Sequence, residues 1–277
     1  MIHIFASFFD PAAKTGKKLS TAAEQKAEGV PVSRRTQEHL TGRRLLLDGL
    51  RELYDQFPLS DGKTEAENIL EGEMLLETEE NGKPFLKEHP DIRFNISHCD
   101  GLVVCAFADV PVGVDVETVR PIRDPLVRRV LHEKEQAVLN RYREAAQIRT
   151  ENGKEVTVFS DPMKERDYDR VFFRYWTLKE SFLKRDGCGL TREPRELFFD
   201  LDPEDWDSPV FGPEGQTVCR QYRFRKGKTE AGTVETRISE SEEFVLAVCT
   251  EKGTVDEEVF FHWDQSSGVP YRKKERI

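Results

Sequence analysis

A chain of 277 residues, 37% hydrophobic and 34% charged, can bury a full core as one large domain or as two smaller ones folded against each other. That composition excludes collagen and coiled coil, and no apolar run approaches the roughly 18 residues a membrane helix needs. The net charge of −10 excludes a general nucleic-acid binder, whose affinity comes from clustered Lys and Arg, so any phosphate must be held locally. The opening MIHIFASFF is too short and uncharged for a signal peptide, and the expectation is a soluble cytoplasmic protein with no membrane and no nucleic-acid partner. Five cysteines, odd in number, mostly in apolar surroundings and without a CxxC pair, read as reduced, buried thiols.

Residues 2–9 alternate weakly and predict a first strand, followed by a polar loop through AAKTGKKLSTAAEQKAEGVP. From Ser33, a suitable N-cap, Leu46, Leu50, Leu53, Tyr54 and Phe57 fall at helical spacing, with Pro58 beyond the end. The other face of that helix carries Arg34, Arg35, Arg43 and Arg44. MLLETEENGKPFL places Asn81-Gly82 between two short apolar runs and predicts a hairpin. RFNISH predicts a second one, turning at Cys99-Asp100-Gly101 into the buried run LVVCAFA. VPVGVDVE then alternates strictly. After Pro121 the pattern turns helical over DPLVRRVLHEKEQAVLNRY, and residues 143–170, charged and without a sustained period, read as an inserted loop. RYWTLKESFLK lies on a helix ended by Gly187 and Gly189, and LFFDL, VCRQYRFR, TVETRIS and FVLAVCT read as further strands before a polar tail, YRKKERI. The element order suggests an α+β fold of two similar α/β halves, although no literal repeat is visible.

Two groups of acids stand out. In VGVDVE, Gly113, Asp115 and Glu117 share one face of the strand, and residues two apart there lie roughly 6 to 7 Å apart, close enough to bind one cation jointly. A lone DxE on an edge strand is usually just a solvated polar face. Glu180 changes that balance. At about 100° per residue it falls on the apolar stripe of Phe173, Trp176 and Leu183, where a carboxylate must be protonated, paired or bound to a cation. Lys184, one turn later, offers an ordinary i, i+4 ion pair. Oxygen donors with nearby lysines suit Mg²⁺, whereas none of the six histidines stands at a zinc spacing from another His or Cys. Lys83, Ser97, His98 and Lys184 are candidate phosphate contacts, each with a plain structural explanation as well, and neither GxGxxG nor a P-loop is present.

GKPFLKEHPDIRFNISHC, VGVDVE and FFRYWTLKESFLKRDGCGL, taken in that order, resemble the three motifs of the 4′-phosphopantetheinyl transferases, specifically the surfactin-synthetase-activating type. The resemblance covers residues 81–120 and 171–194 and is fainter over RRLLLDGL and FVLAVCT. It implies a pseudo-dimer of two α/β halves, residues 1–112 and 113–277, with coenzyme A in the cleft between them. It implies Asp115, Glu117 and Glu180 as ligands of Mg²⁺ (or Mn²⁺), and Arg43, Lys83, Ser97, His98 and Lys184 as cofactor contacts. Glu180 and His98 become the catalytic candidates, with Glu180 as general base. The implied reaction moves the phosphopantetheine arm of coenzyme A to a serine of an apo acyl or peptidyl carrier protein and releases 3′,5′-ADP. Two positions depart from the pattern: Cys99 stands where many relatives have serine, and Val116, between the two acids, cannot be a ligand.

Carrier proteins present acidic helices, so Arg120, Arg123, Arg128 and Arg129 are a candidate docking patch. An internally duplicated fold implies a monomer. The alternatives are another Mg²⁺-dependent phosphotransferase or hydrolase acting on a nucleotide, and a non-catalytic module that binds coenzyme A or carrier.

Overall fold

The predicted hairpins are the seeds of the architecture. In the computed structural model, β2 (Leu76–Thr78) and β3 (Pro84–Leu86) pair antiparallel, with Gly82 at φ 90° in the turn. β4 (Arg93–Cys99) and β5 (Leu102–Ala108) pair the same way around Gly101 at φ 83°, a backbone region that costs glycine little. The structure describes residues 1–8, 33–54, 75–143, 146–151, 154–159, 162–187, 191–213, 215, 217–225, 243–251 and 259–263.

Two four-stranded sheets carry the fold. The first has the order β12-β1-β5-β4, with β1 (Ile2–Phe8) antiparallel to β5 and parallel to β12 (Val259–Trp263). The second has the order β6-β11-β10-β9, built from β6 (Gly113–Thr118), β9 (Val210–Phe211), β10 (Thr217–Arg225) and β11 (Glu243–Glu251). Alternation divides each strand between two layers. Val104 and Ala106 of β5 meet Val114 and Val116 of β6 and Leu246 and Val248 of β11 in an apolar layer between the sheets. Val103, Cys105 and Phe107 face helix α1 (Arg34–Leu53), where they bury Leu45, Leu46 and Leu50. Val245 and Ala247 face the longest helix, α4 (Pro162–Asp186), through Phe172, Phe173, Tyr175 and Leu178. The result is a helix–sheet–sheet–helix stack, an α+β fold. Among the described residues no helix is long and apolar enough to cross a membrane.

Helix α1 begins as expected, with Ser33 Oγ accepting from Thr36 N–H at 3.2 Å, whereas Phe57 and Pro58 lie outside the described residues. The region after Pro121 is two helices, α2 (Asp124–Val130) and α3 (Glu133–Arg143). The Glu135 carboxylate accepts from His132 N–H at 2.9 Å and opens the second of them.

Three expectations are corrected, and one strand is new. Residues 143–170 are not a loop: Ala146–Glu151 (β7) and Lys154–Phe159 (β8) form a hairpin separated only by Asn152-Gly153, and α4 begins at Pro162. The signal was present, in Asn152-Gly153 and in the alternation of Val156 and Val158, and was masked by the charge that dominates the stretch around it. LFFDL is not a strand either. Leu197, Phe199 and Leu201 are buried, but Phe199 N–H is taken by Glu135 Oε1 at 2.9 Å rather than by a ladder partner. Cys219 and Cys249 face each other across β10 and β11 and form a disulfide, so only Cys99 and Cys105 are free thiols among the described residues. Burial holds both thiols far above the usual cysteine range. Finally, the strand β12 was not foreseen; it returns to the first sheet, where His3 Nδ1 and His262 Nε2 bond at 3.0 Å and His262 Nδ1 reaches Glu52 of α1 at 2.9 Å. TVETRIS and the C-terminal tail lie outside the described residues.

Helix α4 is docked on β6 by an absent side chain. A Cβ at Gly113 would stand 2.0 Å from Ser181 O and 2.3 Å from Arg185 N, both backbone atoms of α4. Asp169 adds a second tie, its Oδ1 accepting from Ile122 N–H at 3.1 Å in the segment that follows β6. Burial, with the nearby Glu165 carboxylate, raises the Asp169 pKa to about 7, against the hydrogen bond, which lowers it. The neutral acid is therefore the form the fold prefers. Stability from this group is complete below the unfolded value of 3.8 and is lost as pH rises toward about 7.

Two outcomes follow from these contacts. Gly113→Ala should destabilise the protein by about 2–4 kcal/mol, because backbone cannot give way as a flexible side chain can; a denaturant midpoint near wild type would refute the close contact. Asp169→Asn, which keeps an acceptor for Ile122, should stabilise at pH 8 by about 2–4 kcal/mol and progressively less below pH 6. Melting curves at the two pH values would check the sign.

Candidate active site between β4, β6 and α4

The site forms along one side of the stacked sheets, where their edge strands β4 and β6 approach each other. β6 is the edge strand of its sheet, and its outward N–H groups need partners other than a ladder. Two side chains of the neighbouring edge strand supply them: Asn95 Oδ1 accepts from Val114 N–H at 2.9 Å and Ser97 Oγ from Val116 N–H at 3.4 Å. Asn95 was missed from sequence. The signal was present, since a polar residue two positions before Ser97 shares its face of β4.

On the helix-facing side of β6 the Asp115 carboxylate is 5% exposed. Its Oδ1 accepts from Ser97 Oγ at 2.9 Å and pairs with Lys184 Nζ of α4 at 2.6 Å, while the same ammonium donates to Ser97 Oγ at 2.9 Å. Asp115 Oδ2 is buried and has no hydrogen-bond partner among the described residues. Lys184 thus pairs with Asp115 and not, as i, i+4 spacing suggested, with Glu180.

Glu117 lies further along β6. Its Oε2 is held by Arg120 Nη1 at 2.7 Å, and the Arg120 guanidinium sits over the Phe173 ring at 4.7 Å from its centroid. Burial raises the Glu117 pKa, Asp115 raises it further, and Arg120 opposes both. Glu180 is half-buried, and among the described residues no hydrogen bond or ion pair engages it. Burial raises its pKa first, then the Asp115 charge, and Glu117 adds to these, while Lys184 lowers it. The three acids thus share one electrostatic environment. Among the described residues no three His, Cys, Asp or Glu side chains are gathered closely enough to hold an ion as they stand. The donor set nevertheless fits a hard divalent cation: oxygen ligands only, with a buried Asp115 oxygen and an unengaged Glu180.

The remaining predicted residues do not all converge here. Ser97 and His98 are adjacent in sequence but face opposite sides of β4. His98, 52% exposed, pairs through Nδ1 with Glu38 of α1 at 3.3 Å, and Glu38 also holds Arg34 at 2.7 Å. Arg43 is on α1 as well. Lys83 is half-buried and donates to Arg185 O at 2.9 Å and Val112 O at 3.3 Å, tying the β2–β3 hairpin to the end of α4 and the start of β6. Burial lowers its pKa. Together with Arg93, Arg185, Glu79 and Asp186, and with Phe85, Ile92 and Phe94, it lines a depression between the hairpin, β4 and the end of α4.

Two charges of RYWTLKESFLK are structural, and sequence reading did not separate them. Lys179 and Glu135 form a fully buried pair at 2.6 Å, and Lys179 also donates to Leu197 O at 2.8 Å and Pro194 O at 2.9 Å. Arg174 bonds Gln221 at 2.8 Å and three backbone carbonyls, with its guanidinium 4.1 Å from the Trp206 ring centroid. Both are saturated with partners. Glu180 and Lys184 are the members of this helix face turned to β6 chemistry.

Comparison with known proteins agrees with this geometry. Residues 111–249, from the start of β6 through most of β11, match the family profile described as the 4′-phosphopantetheinyl transferase superfamily. The chain is 31% identical to the 4′-phosphopantetheinyl transferase Sfp of Bacillus subtilis (strain 168) over 142 residues, 51% of this chain and 54% of that protein. It is 27% identical over 216 residues to the 4′-phosphopantetheinyl transferase psf-1 of Bacillus pumilus, covering 78% of this chain and 77% of the relative. A rat L-aminoadipate-semialdehyde dehydrogenase-phosphopantetheinyl transferase is 31% identical over 175 residues, 59% of this chain and 52% of that protein. The first and third alignments thus span about half of those relatives' length and the second about three quarters. The profile match covers half of the chain, including the Asp115 strand and the Glu180 helix, and the chain belongs to the 4′-phosphopantetheinyl transferase superfamily.

Proposed function

We propose that this protein transfers the 4′-phosphopantetheine arm of coenzyme A to a serine hydroxyl of an apo acyl or peptidyl carrier protein, releasing 3′,5′-ADP. The observation that carries the reading is the buried Asp115 carboxylate, engaged by Lys184 and Ser97, beside the unengaged carboxylate of Glu180. A family match without this cluster would fit a binding module equally well.

A divalent ion, Mg²⁺ or Mn²⁺, held by Asp115, Glu117 and Glu180 would neutralise charge on the pyrophosphate. Lys184 and Ser97, on the same face, supply donors for a phosphate oxygen. The carrier serine oxygen forms the new P–O bond as the bond to the departing 3′,5′-ADP breaks, and the serine proton needs an acceptor. Glu180 is suited to accept it, since no donor among the described residues engages its carboxylate and it faces the same strand as Asp115. His98, Arg43 and Lys83 stand on the α1 and hairpin side, where they would contact the nucleotide end of coenzyme A. His98 is thereby assigned to binding more naturally than to proton transfer. The two α/β halves, 1–112 and 113–277, would form the pseudo-dimer whose cleft holds the cofactor, which makes a monomer the expected state. Arg123, Arg128 and Arg129 are exposed along α2 and suit an acidic carrier helix, whereas Arg120 is committed to Glu117 and Phe173.

Incubation of an apo peptidyl carrier protein with this protein, coenzyme A and Mg²⁺ should add the mass of one phosphopantetheine, and EDTA should abolish the gain. Asp115→Asn should lower the rate at least about 100-fold, since it removes a charge that the site is built around. Hydrolysis of a nucleotide without carrier would favour a different phosphotransferase, and coenzyme A binding without mass gain on any carrier would favour the binding module.

A further inference from the structure

Asp115 has a cation of its own. The Lys184 ammonium lies 2.6 Å from Asp115 Oδ1 and is steadied by Ser97 Oγ at 2.9 Å, inside a contact between β6 and α4 that Gly113 makes close. The other carboxylate oxygen, Oδ2, is buried without a hydrogen-bond partner among the described residues. Any divalent ion taken by Oδ2 and Glu180 would share one carboxylate with a lysine ammonium, and two cations on one carboxylate repel strongly at low effective dielectric. Lys184 stands in the last turn of α4, its ammonium held between Asp115 and Ser97, and Asp115 is fixed between Ser97 and β11, so a divalent ion at Oδ2 must share the carboxylate with the ammonium or displace it.

We propose that Lys184 is an internal counter-ion that makes divalent-cation binding at Asp115 conditional on a bound pyrophosphate. A polyanion bridging the two cations removes their repulsion, so metal and pyrophosphate-bearing ligand bind with positive coupling, and linkage requires each to tighten the other by the same factor. Without the ligand, Lys184 excludes the metal. The inference rests on the reading of Asp115, Glu117 and Glu180 as metal donors and assigns Lys184 a task beyond contacting phosphate: it sets the order in which the site fills.

Mn²⁺ binding, followed by electron paramagnetic resonance of the free ion and corrected for Mn²⁺ held by coenzyme A alone, tests this without any carrier or turnover. Wild type should bind Mn²⁺ at least about tenfold tighter with saturating coenzyme A than without it. Lys184→Met should bind Mn²⁺ alone about tenfold tighter than wild type and lose most of the coupling, while Lys184→Arg, which keeps the charge, should behave as wild type. Because Lys184→Met leaves Asp115 buried without its partner, its melting temperature should fall and be restored by Mn²⁺ alone, a rescue that wild type does not show. Lys184→Gln, which keeps a donor for Asp115, serves if the methionine variant does not fold. The inference is overturned if wild type binds Mn²⁺ equally well with and without coenzyme A, or if neither neutral variant binds Mn²⁺ alone more tightly. Coenzyme A binding with no Mn²⁺ binding in any variant would overturn the metal reading itself, and the inference with it.

Discussion

Everything at this site depends on the absence of one methyl group. Gly113 lets the backbone of α4 pass over β6 at a distance no Cβ permits, and that approach brings Lys184 and Glu180 to the strand that carries Asp115 and Glu117. The strand supplies alternation, which puts Gly113, Asp115 and Glu117 on one face; the helix supplies the spacing between Glu180 and Lys184. Backbone proximity is the scarce element, because it must be met over a full turn of helix at once. Apolar packing of Val245 and Ala247 against Phe173 and Leu178 then holds the helix at that depth.

Burying so much charge under one helix is tolerated because each charge is sorted. Lys179 and Arg174 are enclosed and saturated, by Glu135 and carbonyls in one case and by Gln221, carbonyls and a tryptophan face in the other. Glu243, fully buried on β11, is held by Arg166 at 3.2 Å and Arg170 at 2.5 Å. Against that background the loose ends are informative. Among the described residues Asp115 Oδ2 and Glu180 have no hydrogen-bond donor, although Lys184 stands by both.

Much of the site was legible in the sequence because its residues obey short-range periods. Alternation placed Asp115 and Glu117 together, and the helical stripe marked Glu180 as needing a cation or a proton. Adjacency misled in one case: Ser97 and His98 are neighbours in the chain, yet a strand sends them to opposite faces, one to β6 and the other to Glu38 on α1. Lys179 was indistinguishable from Lys184 by spacing, since its partner Glu135 is far off in sequence and nothing local marks the pair. The two hairpins at Asn81-Gly82 and Asp100-Gly101 were readable because apolar strands flank the turn. The third, around Asn152-Gly153, repeats the dipeptide of the first beside the alternating Val156 and Val158, but the charged residues that crowd 143–170 masked that signal. Cys219 and Cys249 form their bridge across a register that no spacing rule reveals.

The return of β12 to the first sheet has a consequence for how the chain comes to be folded. Ile2 lies opposite Val259, so the edge of the first sheet is closed by some of the last described residues of the chain. During synthesis β1 and β5 can pair early, but β1 keeps an open row of hydrogen-bonding groups until the second sheet and α4 have emerged. Closure of the first sheet by β12 must therefore wait for the latest described strand to emerge, and His262, bridging His3 and Glu52, is the stitch that links that late strand to the early helix. A chain cut short before residue 259 would carry the β6 and α4 face complete while its first sheet still had an exposed edge, ready to pair with another copy.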